Sequence, residues 1–228
     1  MQGEASEQSE SAGADLKLSR YRNVDLSRIQ VKRATSQTDF DLVAELRRSG
    51  FSRVIGNKEA RAISWIDQTD RSPGVFTLLG FSSQGQAIAT MRIQDSRIGS
   101  LELQRFVDVE TLISHEDKPV AQFSRLTASK GEQSVSAMFG LFKAGWLWCM
   151  KEQLKSIVIA TPHWSKPIYD FMLFNDLGPL GRFKHQFAGD SEHVTMKLPV
   201  QEAEYIWRRG GQPLCAQFTE IEHADLVV

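Results

Sequence analysis

Apolar and polar residues alternate over Ile29-Gln30-Val31-Lys32, the period of a strand buried on one face. Thr38, with Asp41 three residues later, reads as a capping box. It would open a helix whose stripe is Phe40, Leu42, Val43 and Leu46 and whose C-cap is Gly50. A less regular helical stretch covers about Lys58–Ile66. Two β-rich runs follow, Val75–Leu79 and Ala87–Ile93, and the polar turn Ser82–Gly85 joins them as a hairpin. After a short helix at Asp108–Ile113 come a strand over Val120–Leu126 and the turn-rich segment Thr127–Ser134. The helix that follows, about Val135–Leu154, is apolar nearly all round and so belongs against a sheet. Ile157–Ala160 is a continuous apolar run, the signature of a strand covered on both faces. A helix at Pro167–Asn175, a hairpin of Phe183–Phe187 and His193–Leu198 around Gly189-Asp190, and a helix at Ala203–Arg209 complete the series. This order predicts an α/β (α+β) fold, a mixed sheet flanked by helices.

The 228 residues are 41% hydrophobic and 24% charged, enough for a sizeable core. A formal charge of −1 excludes a strongly basic nucleic-acid binder. Cys149 and Cys215 are too few for a disulfide scaffold, and no His/Cys/Asp spacing points to a metal site. Cys149, inside the apolar helix, reads as a small buried hydrophobe. Met1–Asp15 is acidic and polar, the reverse of an export signal, and holds too little apolar surface to order itself. The most apolar stretch, Ala137–Met150, contains Lys143 and is shorter than the ~20 residues of a membrane span. These features lead us to expect a reduced, soluble, cytoplasmic protein.

The strand–loop–helix at Phe123–Val135 has chemical content. A helix N-terminus offers unpaired N–H groups and partial positive charge to a phosphate, and Thr127, Ser129, Lys130, Gly131 and Ser134 stand beside it. It is not a Walker A loop, since no Gly-Lys-Ser/Thr ends it, and an ordinary strand-to-helix turn fits equally well.

That element order, with a phosphate-competent loop after the fourth strand, resembles the GNAT acyltransferase fold. Within it the chain is most similar to the N-acyl amino acid synthases of the FeeM type and to the acyl-homoserine-lactone autoinducer synthases. The resemblance is carried by Arg47-x-x-x-Phe51, by Trp65 with Asp67-x-x-Asp70, by Ala89-Thr90-Met91-Arg92-Ile93 and by Gln122-Phe123-Ser124-Arg125-Leu126. It covers about Ile29–Pro199. It implies a loosely attached or disordered tail over 1–28, a GNAT-like domain with a mostly antiparallel sheet over 29–210, and a C-terminal extension over 211–228.

The resemblance further implies transfer of a fatty acyl group from an acyl carrier protein or coenzyme A thioester to the amine of an amino acid, with no permanently bound cofactor. Direct attack by the amine needs no enzyme nucleophile. In that fold the pantetheine arm runs along Phe123, Ser124, Leu126 and Thr127, with its phosphate near Lys130, Gly131 and Gln133. Met138, Phe139, Phe142, Trp146, Phe171 and Phe174 could line a slot for the acyl chain or simply fill the core. Arg92 and Arg125 sit in strands where a charge needs a partner. One reading pairs them with Asp67 or Asp70, and the other gives Arg92 and Asp67 to the acceptor's binding site.

The departure is Gln122, where the autoinducer synthases carry a glutamate. An amide cannot take a proton from an ammonium. Glu102, Asp70, His115 and His163 are the substitutes, unless Gln122 orients a water or the amine arrives already neutral. Arg125 completes the candidate catalytic set. An acidic carrier protein would need a basic face, and Arg47, Arg48, Arg53, Lys130, Lys143, Lys151 and Lys155 could supply it. Three alternatives stay open: a homoserine-lactone synthase, an acetyltransferase using acetyl-coenzyme A, and a non-catalytic carrier-binding module.

Overall fold

Eight strands form one sheet in the computed structural model, which describes residues 21, 24–55, 65–185, 190–226 and 228. In chain order they are β1 (Gln30–Arg33), β2 (Val75–Phe81), β3 (Ala87–Asp95), β4 (Val120–Ala128), β5 (Ser156–Pro162), β6 (Asn175–Asp176), β7 (Arg182–His185) and β8 (Ser191–Pro199). In space the order is β1-β2-β3-β4-β5-β8-β6, with β7 also paired to β8. Every pairing is antiparallel except that of β4 with β5. The helices are α1 (Gln37–Ile55), α2 (Val109–Leu112), α3 (Ser134–Lys151), α4 (Lys166–Phe171), α5 (Ala203–Arg209) and α6 (Cys215–Thr219), and single 3-10 turns lie at Gln68–Arg71 and Glu102–Arg105. The mixed sheet flanked by helices is the architecture the sequence pattern predicts, and its mostly antiparallel pairing is what the family resemblance implies. No described helix is long and apolar enough to cross a membrane.

The sheet has unlike faces because its strands alternate. Leu78, Met91, Ile93, Phe123, Ile157, Ile159 and Met196 share the principal core with Phe139, Phe142 and Ala144 of α3. The opposite face carries polar side chains in register, Thr77 beside Arg92 beside Ser124, and Gln94 beside Gln122. It meets α1 and the 3-10 turns Gln68–Arg71 and Glu102–Arg105.

Local chemistry shifts several predicted boundaries. The capping box is Ser36 and Asp39 rather than Thr38 and Asp41: the Asp39 amide donates to Ser36 Oγ (3.1 Å) and the Ser36 amide to Asp39 Oδ2 (3.0 Å). Gly50 does not end α1, which continues to Ile55. Its role is close approach, since a Cβ there would lie 1.7 Å from Thr127 Oγ1 of β4. The fourth helix ends at Phe171 rather than Asn175. Most of the stretch Lys58–Ile66 lies outside the described residues, as do Phe187 and Gly189 of the last hairpin.

The division at residue 28 also moves. Residues 1–20, 22 and 23 lie outside the described ones, but Tyr21, Val24 and Leu26 are buried in the principal core. The Gln217 side chain ties this segment down, accepting from the Leu26 amide (3.1 Å) and donating to the Val24 carbonyl. Leu214, Phe218 and Leu226 of the C-terminal stretch enter the same core, and the Val31 amide donates to Asp225 O (2.7 Å). Lys143, expected in a basic docking face, is buried instead and donates to the carbonyls of Gln217 and Ile221 (2.5 Å each).

Gly50→Ala should lower stability by ~1–3 kcal/mol through overpacking. Adding Thr127→Ala should restore part of the loss, because the nearest clashing atom is Oγ1. Urea denaturation of the single and double variants checks this, and additive losses would contradict it.

Candidate active site

β4 and β5 run parallel and in register from Val120 beside Ser156 to Phe123 beside Ile159, where their ladder ends. Both strands continue, β4 to Ala128 and β5 to Pro162, so a wedge opens between them. A bulge marks the start of the opening. Between the pairs Arg92–Ser124 and Thr90–Thr127, β3 has one residue and β4 has two, Arg125 and Leu126. Arg125 takes a left-handed backbone (φ 55°), a conformation a non-glycine residue holds at a cost of order 1–3 kcal/mol. A cavity of about 340 Å³ fills the wedge, bounded by Gln122–Leu126 on one side and Ala160–Pro162 on the other. That volume is within the range of small-molecule sites.

A lattice of ion pairs backs the cavity. Arg47 of α1 grips Asp70 with two bonds of 2.8 Å, and both side chains are fully buried. Arg92 of β3, also buried, reaches Glu102 (2.6 Å), Asp67 (3.1 Å), Asp70 (3.6 Å) and Ser124 Oγ (3.2 Å). Arg125 closes the set on Glu102 (2.9 Å) and Asp67 (3.4 Å). Burial alone would raise the Glu102 carboxyl, but the charges of Arg125 and Arg92 outweigh it and bring it down to about 2. Asp70 is likewise pushed up by burial and pulled down, to about 2, chiefly by Arg47. The pairing of Arg92 and Arg125 with the acids ahead of the hairpin is thus the reading the geometry takes.

Of the expected catalytic residues, Gln122, Glu102 and Arg125 line the cavity together and Asp70 does not. Asp70 is sealed behind Arg47 and out of a substrate's reach. Gln122 Oε1 accepts from the Leu103 amide (2.9 Å), which anchors the 3-10 turn carrying Glu102. Among the donor residues, Phe123, Ser124 and Leu126 line the wedge, whereas Thr127 packs under Gly50. Lys130, Gly131 and Gln133 stand outside the cavity, Lys130 exposed and Gln133 bonded to Ser83 Oγ (3.0 Å).

The six residues expected to line an acyl slot do not do so. Phe139, Phe142, Trp146 and Phe174 are buried in the principal core, and Met138 and Phe171 pack against it. Their rings engage one another, Phe139 with Phe171 (5.8 Å) and Phe142 with Phe174 (6.3 Å), so the space between α3 and the sheet is filled. As to the acceptor, Asp67 lines the cavity but Arg92 lies behind it. His115 and His163 are elsewhere, His163 beside Glu192 (3.6 Å). Of the supposed basic face, Arg47 and Lys143 are buried, the Arg53 side chain is not described, and Arg48, Lys130, Lys151 and Lys155 are exposed.

The sequence reading missed Arg105, Phe106, Tyr169, Phe183, His185 and His193, all of which line the cavity. Arg105 is exposed and has no acidic partner among the described residues. Phe106 stacks on Phe183 (4.7 Å) and lies 4.7 Å from the His185 ring, which is 5.0 Å from that of His193. Sheet register is the signal that finds the histidines. Gln122 is beside Val158 and Val158 beside Lys197, so two steps of alternation along β8 put His193 on the face of Gln122. Phe183 pairs directly with His193 on that face. Among the described residues no group of three or more His, Cys, Asp or Glu could hold a metal ion.

No protein-family model matches the chain, and no curated protein does. Solved structures match. FeeM, an N-acyl amino acid synthase from uncultured soil microbes, aligns over 85% of this chain and 99% of its own, with TM-score 0.63 and 16% identity. The AHL synthase LasI aligns over 77% and 92%, with TM-score 0.53 and 17% identity. A GCN5-related N-acetyltransferase from Kribbella flavida aligns over 77% and 99%, with TM-score 0.51 and 15% identity. At these identities the likeness concerns the fold, and the fold of this chain is the GNAT fold.

Two tests address the ion lattice. Asp70→Asn leaves Arg47 without its buried counter-charge and should cost ~3–5 kcal/mol, read as a fall in unfolding midpoint. Folding lowers Asp70 from 3.8 and Glu102 from 4.5, both to about 2. Their contribution is therefore complete above the ordinary carboxylate range and is lost as pH falls toward 2. The urea midpoint should drop steeply between about pH 4 and 2 in the native protein and less so in Asp70→Asn.

Proposed function

We propose that the protein is an N-acyltransferase that moves an acyl group from an acyl carrier protein or coenzyme A thioester to the amine of an amino acid. The carrying observation is the open wedge between β4 and β5, with its cavity against Phe123–Leu126. An extended thioester arm can lie along the β4 edge where the ladder has ended, and the first turn of α3 with Lys130 would meet its phosphate. The acyl chain then lodges in the wedge itself, against Phe123, Leu126 and Tyr169, since the core behind α3 is full. The exposed cations Arg48, Lys130, Lys151 and Lys155 favour an acidic carrier.

The acceptor approaches from the side of the 3-10 turn Glu102–Arg105. Its carboxylate needs a guanidinium with donors to spare. Arg92 lies behind the cavity and Arg125 is tied through Nη2 to Asp67 and Glu102, whereas Arg105 lines the cavity with no acidic partner among the described residues and is the anchor. Reaction is direct attack of the amine on the thioester carbonyl, without an enzyme-bound intermediate. Gln122 in place of a carboxylate favours one other reading, a carrier-binding module without turnover.

Thiol release from acyl carrier protein and acyl-coenzyme A, measured with mixed amino acids, separates the two. Turnover is expected, and donor binding without thiol release would leave only the module. Arg105→Ala should raise the amino-acid KM about tenfold, the loss of one charge-assisted bond, with little change in donor KM. Lys130→Glu should raise the donor KM and leave the unfolding midpoint unaltered; an unchanged donor KM would remove Lys130 from the phosphate site.

A further inference from the structure

We propose that His193 is the group that takes the proton from the attacking amine. This assignment rests on the transferase reading. The carboxylates lining the cavity are engaged, Glu102 by Arg92 and Arg125 and Asp67 by the same two arginines, and Gln122 has no basic atom. His193 lines the same cavity and is 7% exposed. Its Nδ1 stands 3.0 Å from the Ser191 carbonyl oxygen, which can only accept, so Nδ1 carries the hydrogen and Nε2 the lone pair. The ring stacks on Phe183 (5.6 Å, 22°), which fixes its plane.

The surroundings favour the neutral imidazole. Burial first, then the charge of His163, pushes it below the ordinary histidine value, against the opposing pull of the Ser191 carbonyl. The other ionisable groups around it are His185 and Arg182 of β7, Glu192 beside it (3.7 Å from Arg182), and Glu102, Arg105 and Arg125 across the cavity. In the reaction the acceptor's ammonium first gives one proton to water; the neutral amine nitrogen then bonds to the thioester carbon and the C=O pair moves to oxygen. His193 Nε2 accepts the proton from that nitrogen. The C=O then re-forms, the C–S bond breaks with its electrons on sulfur, and the thiolate takes the proton from the imidazolium. Amine and thioester become amide and thiol, and His193 is restored.

The test is the pH profile of kcat for thiol release. His193→Asn keeps an amide donor for Ser191 and removes Nε2. It should lower kcat about 10²-fold or more, abolish the acid limb of the profile, and alter the amino-acid KM by less than about threefold. A kcat within about threefold of native with the acid limb intact would overturn the assignment. In native protein the acid limb of kcat/KM, which reports the free enzyme, should coincide with the His193 ring titration followed by NMR, a measurement that does not need the variant to fold. A limb displaced from that titration also overturns it. Native protein that releases no thiol from any acyl donor removes the transferase reading, and this assignment with it.

Discussion

Three guanidinium groups and three carboxylates, held at the back of one cavity, constrain the rest of this molecule. Arg47, Arg92 and Arg125 balance Asp67, Asp70 and Glu102 in charge. A buried charge without a partner costs several kcal/mol, so each member fixes the position of the segment that carries it. Those segments are α1, the turn Gln68–Arg71, β3, the turn Glu102–Arg105 and β4. Such a lattice is weak evidence for added stability, since well-packed apolar residues can do as well. What it supplies is geometry. Arg125 can hold its left-handed backbone because its side chain is tied to Glu102 and Asp67, and that bulge begins where β4 parts from β5.

The same balance gives a physical account of Gln122. A glutamate there could also accept from the Leu103 amide, but it would add a fourth negative charge to a set already neutral. The amide keeps the hydrogen bond and leaves the charge count even. In the proposed reaction proton transfer then comes from outside the lattice, and the β7–β8 hairpin brings imidazoles to the other side of the wedge. One wall of the cavity is thus charged and immobilised, the other aromatic and titratable.

Strands and long helices were legible in the sequence because each repeats its period several times. The mixed sheet, the hairpin β2–β3 and the apolar helix α3 all follow from alternation and stripe. The arginine–acid pairing was legible too, since a charge inside a strand demands a partner. Harder to read was anything set by a single close contact. Gly50 looks like a helix terminus in one dimension and is a spacer against Thr127 in three. The rings Phe139, Phe142 and Phe174 have the composition of a lipid slot, and only packing shows that they fill one another's space. His193 and Arg105 carry no local signal. Register across three strands places the first, and a short 3-10 turn the second.

The proposed reaction depends on the wedge holding a thioester arm. Titrating isotopically labelled protein with a non-reactive thioether analogue of an acyl-pantetheine, and following backbone amide shifts, addresses that directly. Saturable shifts should concentrate on Phe123–Leu126 and on Ala160 and Thr161. Shifts confined to other surfaces, or none at millimolar analogue, would contradict the account.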